Sequence, residues 1–186
     1  MDLPVEIRSI MEKMNSTTYN HSLRVWELAL EVEAHFQIMD EVLSTAALVH
    51  DIGKYYIPER ILDKHEGLSP LERDVIDLHP YIGYRILEDY KVGEAVKRIV
   101  LYHHGMRPRL LTQLPEFYSV TTMEKAKMLH TIDAFEALTT DRPYRRRMSV
   151  ECAAAFLEGQ EGYHSRTLLY LKENVADFQG MRKLPV

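Results

Sequence analysis

Leu48-Val49-His50-Asp51-Ile52-Gly53-Lys54 sets an imidazole beside a carboxylate at the end of an apolar run and then turns at a glycine. Upstream, Val42, Ala46 and Val49 recur at helical spacing, as do Leu43, Ala47 and His50, so the pair is expected to close a helix packed on both flanks. Gly53 then permits a left-handed or otherwise tight exit. Taken alone, a His-Asp pair at a helix end reads as capping. The rest of the chain argues for more.

Outward from this pair stand His21 in Tyr19-Asn20-His21-Ser22-Leu23-Arg24-Val25, His79 in Leu78-His79-Pro80-Tyr81-Ile82-Gly83, the doublet His103-His104, and Asp133 in Ile132-Asp133-Ala134-Phe135. These segments, spaced about one helix apart, each bring one or two candidate ligands. The arrangement resembles the HD superfamily of metal-dependent phosphohydrolases, and within it the HD-GYP group of phosphodiesterases. That group's pattern runs H, HDIGK, HPxxG, HH, then an Asp before a segment ending RPYR. Its counterparts are His21, His50 to Lys54, His79 to Gly83, His103-His104, and Asp133 with Arg142-Pro143-Tyr144-Arg145. The resemblance covers roughly residues 15–175, and ordered motifs are far more specific together than singly.

The resemblance implies a dimetal centre in which His21, His50, Asp51 and Asp133 serve one ion, and Asp51, His79, His103 and His104 the other, with Asp51 bridging. Imidazole and carboxylate donors suit borderline divalent ions such as iron, manganese or zinc, whereas calcium or magnesium sites are dominated by oxygen. The family favours iron or manganese. Some relatives hold a third ion with a glutamate four residues before the first histidine; Thr17 stands there, so two ions are expected. Two close ions stabilise the attacking and leaving oxygens of a phosphoryl displacement and make a shared water acidic. Catalytic roles fall by resemblance to Asp51 and Lys54. Lys54, Arg142 and Arg145 are the candidate contacts to substrate phosphate, guanidinium holding phosphate in bidentate fashion. For Lys54 the plain alternative is a surface lysine after a helix.

One family feature is missing. In the group the paired histidines open a segment HHExxDGxGYP, whose tyrosine helps hold the ligand. Here the text is His103-His104-Gly105-Met106-Arg107-Pro108-Arg109-Leu110, with neither the glutamate nor any Gly-Tyr-Pro. Chemistry depends on ligands and discrimination on pocket contacts. Retained hydrolysis with altered nucleotide choice is therefore expected, Arg107 and Arg109 offering new phosphate contacts.

Composition sets bounds. The 186 residues are 46% hydrophobic and 27% charged, which fits one soluble globular domain over 1–186 with its own core. A net charge of -5 argues against broad nucleic-acid binding. Arg146 and Arg147 read as part of a solvated face. Cys152 is the single cysteine, so neither an internal disulfide nor a thiolate cluster is expected; its alanine neighbours suggest packing. Asp2, Glu6 and Arg8 interrupt any leader-like apolar run and no run reaches membrane length, so the expected location is cytoplasmic, with no membrane partner.

Helical periodicity runs throughout, and an all-α bundle with short connections is expected. Residues 1–15 read as a short leading helix. From His21 to Phe36, Leu23, Trp26, Leu30 and Ala34 form one stripe, widened by Val25, Leu28, Ala29 and Val32, in a helix that looks mostly buried. Ile57 to Leu62 read as a loop with a helical turn, and residues 64–67 as a polar bend. Ser69-Pro70-Leu71-Glu72 is a capping box with proline at the first helical position, opening a helix to about His79. Pro80 opens the next, with Ile82, Ile86 and Leu87 inside. Val92, Val96, Ile99 and His103 share a face. Residues 105–119 read as loop, and Thr121 or Thr122 caps a helix with Ala126, Leu129, Asp133 and Ala137 on one face. Ser149 caps a helix through Phe156, closed by Gly159 to Gly162, and a last one runs from about Ser165 to Phe178.

His35, His65, His130 and His164 match no family motif and read as surface or capping groups. Tyr144 serves equally for base stacking or packing. Two classes of function fit: a phosphohydrolase acting on a nucleotide, with cyclic di-GMP the substrate the resemblance brings first and a mononucleotide the alternative, or a catalytically weak nucleotide-binding or regulatory module. Retention of all seven ligand positions favours catalysis. Oligomeric state and any regulatory partner stay open.

Overall fold

The computed structural model describes residues 3–64, 66–105, 119–141 and 146–175, and those residues form helices and connections without strands. The sequence expectations that fall on His65, Arg107, Arg109, Arg142, Tyr144, Arg145 and Phe178 lie outside them. Among the described residues no helix is long and apolar enough to cross a membrane.

The organising element is α3 (Val42–Val49), where Leu43 through Ala47 and Val49 are all buried. A helix apolar on nearly every side must be enclosed by neighbours. It packs on α2 (Ser16–Phe36), α7 (Glu94–Tyr102) and α8 (Val120–Thr139). Its entry is fixed by polar ties: the buried Glu33 carboxylate accepts from the Ser44 N–H at 3.0 Å, and the Thr45 hydroxyl donates to the Glu41 carbonyl at 2.6 Å. His50 and Asp51 follow as the helix ends, and the chain continues into a 3-10 turn, Ile52–Tyr56. That turn packs against α6 (His79–Asp89), which in turn packs on α7. α1 (Val5–Glu12) touches the same turn, α4 (Glu59–Leu62) and α5 (Pro70–Ile76) form the connection, and α9 (Val150–Leu157) and α10 (Ser165–Asn174) brace α8.

Gly53 is required for a different reason from the one its sequence suggests. It is not in the left-handed region. A Cβ there would stand 2.0 Å from the His79 carbonyl oxygen and 2.7 Å from the Gly83 nitrogen. The glycine therefore permits two backbones to meet, the role a close approach demands.

Other expectations are refined. The capping box at Ser69 and Glu72 forms as read, but α5 stops at Ile76 and His79 begins the next helix, with Pro80 at a position where a missing N–H costs nothing. The cap of α8 is Ser119, whose hydroxyl accepts from the Thr122 N–H, instead of Thr121 or Thr122. On α2 the inward face is His21, Ser22, Val25, Leu28, Ala29, Val32 and Glu33; Leu30 and Ala34 are exposed, so the helix is half buried. Cys152 is exposed and does not pack.

Candidate metal centre

Three helix ends and the faces of two long helices converge on one buried cluster. His50 follows α3, His79 follows the last turn of α5, and His103 follows α7; each ring folds back so that its Nδ1 meets the carbonyl three residues earlier. These contacts, to Ala47, Ile76 and Val100, measure 2.7, 2.7 and 2.6 Å. A carbonyl only accepts, so Nδ1 carries the proton and Nε2 presents a lone pair to the interior. α2 contributes His21, and α8 contributes Asp133. The adjacent His104 completes the set.

The resulting distances are short. Asp51 Oδ1 lies 3.3 Å from His79 Nε2, while its Oδ2 lies 3.5 Å from His50 Nε2 and 3.9 Å from His21 Nε2. Asp133 Oδ1 is 2.9 Å from His21 Nε2 and its Oδ2 3.9 Å from His104 Nε2. Lys54 donates to Asp51 Oδ2 at 2.7 Å. Donor atoms gather within 4.8 Å of one another in three overlapping groups, His21/His50/Asp133, His50/Asp51/His103 and His79/His103/His104. All seven sequence-predicted ligand positions and Lys54 are thus brought together. Arg142 and Arg145 are outside the described residues.

The donor set fits a cation. His50 Nε2 and Asp51 Oδ1 are buried without a hydrogen-bond partner. His79 Nε2 and His103 Nε2 face each other at 3.3 Å. With both Nδ1 protons committed to carbonyls, two lone pairs oppose each other there, an arrangement that a positive ion between them relieves. Burial pushes the His79 imidazole down to about 3 and His103 well below its ordinary range. Desolvation of its inner edge, opposed by Asp133, brings His104 down to about 4 although its outer side is exposed. These rings are neutral, as ligation requires. Burial would raise the Asp51 carboxyl, but the Lys54 ammonium beside it outweighs that and holds it well below the usual carboxylate range.

His21 differs. Burial would lower it, yet Asp133 and Glu136 on either side raise it to about 9, so without a cation it holds both protons. An ion at Nε2 would take the place of one proton, while Nδ1 keeps its hydrogen bond to Glu136. Glu136 also accepts from Arg24 and from the Thr140 hydroxyl. Sequence reasoning missed Arg24 and Glu136. Their signal was present: each lies three residues beyond a candidate ligand, on the same helix face as His21 and Asp133 respectively.

His130 was also misplaced. Grouped by sequence with surface and capping histidines, it is half-buried in the middle of α8, its Nδ1 3.4 Å from His104 Nδ1. His164 does cap α10, and His35 is exposed.

A helical fold that encloses a His/Asp cluster able to hold metal defines the class, and comparison with known proteins gives the family. The HD domain matches residues 18–153, and the chain belongs to that family, whose phosphohydrolases are metal-dependent. The chain is 33% identical over 138 residues to the cyclic di-GMP phosphodiesterase PA4108 of Pseudomonas aeruginosa, covering 69% of this chain and 32% of that protein. It is 31% identical over 188 residues to a cyclic di-GMP phosphodiesterase of Thermotoga maritima, covering 95% of this chain and 48% of the relative. The chain therefore spans less than half of either relative's length. Among solved structures, the HD domain of the L. monocytogenes phosphodiesterase PgpH in complex with cyclic-di-AMP superposes with a TM-score of 0.67 at 19% identity, covering 97% of this chain and 98% of that one. That likeness establishes the fold.

Proposed function

We propose that this chain is the hydrolytic unit of a metal-dependent phosphodiesterase acting on a cyclic dinucleotide or a related nucleotide phosphoester. Two divalent ions, iron or manganese, are held by His21, His50, Asp51 and Asp133 on one side and by Asp51, His79, His103 and His104 on the other. The observation that carries this reading is the Asp51 carboxylate, whose Oδ1 faces His79 and whose Oδ2 faces His50 and His21. Asp133 also extends an oxygen toward each half, so both acids serve to hold the two sides at a common spacing. When bound, the ions supply charge for the phosphate oxygens and an acidified water.

The chain's own groups do the rest. Lys54, about one fifth exposed, contacts Asp51 and also lines a cleft of about 810 Å³ with Asn15, Thr17 and Lys64. That volume suits a small-molecule site. From this position the ammonium holds a substrate phosphate over the centre and stabilises the charge that grows on it. Arg142 and Arg145 are assigned the same role by their motif. The relatives named above act on cyclic di-GMP, which supports a cyclic dinucleotide as substrate class; the absent Gly-Tyr-Pro segment favours a selectivity unlike theirs.

Elemental analysis of protein prepared without chelator is expected to give two transition-metal ions per chain, and a reproducible value below one overturns the dimetal reading. Side-by-side assays with cyclic di-GMP, other cyclic and linear dinucleotides, mononucleotides and a chromogenic diester are expected to show cleavage of the simple diester without strong preference for cyclic di-GMP. Selective cleavage of cyclic di-GMP refutes the altered selectivity. No cleavage by metal-replete protein points to a binding module. Lys54→Ala is expected to keep its metal while turnover falls by on the order of a hundredfold, the usual effect of removing one charge-stabilising donor. An unchanged rate would place the phosphate elsewhere.

A further inference from the structure

Every imidazole of the centre is anchored from behind. Backbone carbonyls hold His50, His79 and His103, and Glu136 holds His21. His104 follows His103 directly, so it is turned by about 100° around the helix axis and its outer edge faces α8 instead. There it meets another side chain, His130, at 3.4 Å between the two Nδ1 atoms. Resting on the reading of His104 as a metal ligand, we propose that His130 is a positioning residue that fixes the tautomer and ring direction of His104.

The proton arithmetic allows one arrangement. If His104 Nε2 is to face an ion, its Nδ1 carries the proton and donates; His130 Nδ1 must then accept, and the proton of His130 sits on its Nε2. The support matters here because the side chain of His104 is 38% exposed, whereas those of His21, His50 and His79 are at most 4% exposed. His130 is itself held. Its ring stacks in parallel on Tyr163, with centroids 4.5 Å apart and planes 3° from parallel. The turn that carries Tyr163 is pinned to α8 by the His164 N–H, which donates to the Thr131 hydroxyl at 2.8 Å, one residue from His130. Tyr163 and His164 lie beyond residue 153, where the family match ends. The C-terminal helices thereby act on the centre through one imidazole pair.

Two variants separate positioning from packing. His130→Phe keeps a ring to stack on Tyr163 but offers no acceptor; His130→Asn keeps an acceptor near the Nδ1 position but no ring. Metal-free proteins, checked for folding by thermal melting, are titrated with cobalt(II), reading affinity by chelator competition and coordination by the visible absorption of the bound ion. His130→Phe is expected to bind about 10–100-fold more weakly and with an altered spectrum, the usual cost of losing an outer partner of a ligand histidine. His130→Asn is expected to stay close to wild type in both. Wild-type affinity in His130→Phe, or equal loss in both variants, would make the contact mere packing and overturn the proposal. His104→Ala is run alongside: if it binds cobalt as tightly as wild type, His104 is no ligand and the reading of the site fails along with the proposal.

Discussion

Asp51→Asn is expected to lose bound metal and turnover together. The substitution preserves size and leaves one oxygen, but removes the charge that faces Lys54, His50, His79 and His21 at once. Outer partners of ligand histidines already cost about 10–100-fold when removed, so a carboxylate between the two halves should cost more than ~100-fold in affinity or rate. Metal analysis and a diester assay on the same preparation check it. His65→Ala, at a histidine matching no motif, serves as the control and should keep both. Full metal content in Asp51→Asn would show that the two halves fill without a shared Asp51 carboxylate.

Gly53→Ala is expected to be the most damaging alanine substitution among the described glycines. Its Cβ would fall 2.0 Å from the His79 carbonyl oxygen and 2.7 Å from the Gly83 nitrogen, and both obstacles are backbone. A flexible side chain could swing aside; a helix must shift as a whole. Overpacking usually costs about 1–3 kcal/mol, and this site should reach or exceed the upper end. The displaced element carries His79, so metal affinity should fall with stability. Urea denaturation and cobalt titration test the two effects. Gly67→Ala, where an added Cβ meets nothing within 4 Å, should be neutral or slightly stabilising. An unchanged urea midpoint in Gly53→Ala would mean that the 3-10 turn and α6 part easily.

Much of the centre was legible because its candidate ligands are titratable residues at the ends of apolar stripes. Val92, Val96, Ile99 and His103 could be read as one inward face, and the structure buries all four. The helix opening at Ser69 was equally readable, since the capping box is a local pattern that forms whatever surrounds it. Failures arose where local patterns compete. On α2 two overlapping stripes offer apolar residues, and the contacts with α3 and α8 decide between them, burying Val25, Leu28, Ala29 and Val32 and leaving Leu30 out. Ser119, Thr121 and Thr122 are all competent caps, and only the course of the preceding chain selects Ser119. The residues behind the rings, Arg24, Glu136 and His130, were harder to read for another reason. Their partners lie on other helices, more than 100 residues away for Arg24 with Glu136 and 26 away for His104 with His130.

The fold-back of three imidazoles onto carbonyls three residues earlier also bears on how such a chain can change over generations. The rings of His50, His79 and His103 take their aim from carbonyls behind them, so the direction of each ring is set by the chain that precedes it. Connecting segments that avoid the Gly53 contact can then vary as long as the helix ends stay. The stretch after His104 is a case in kind, for the Gly-Tyr-Pro wording of the HD-GYP group is absent from the sequence while all seven candidate ligand positions are present. A scaffold wired in this manner separates inheritance of reactivity from inheritance of preference, so new substrates can be tried by exchanging one segment without rebuilding the hearth around which it sits.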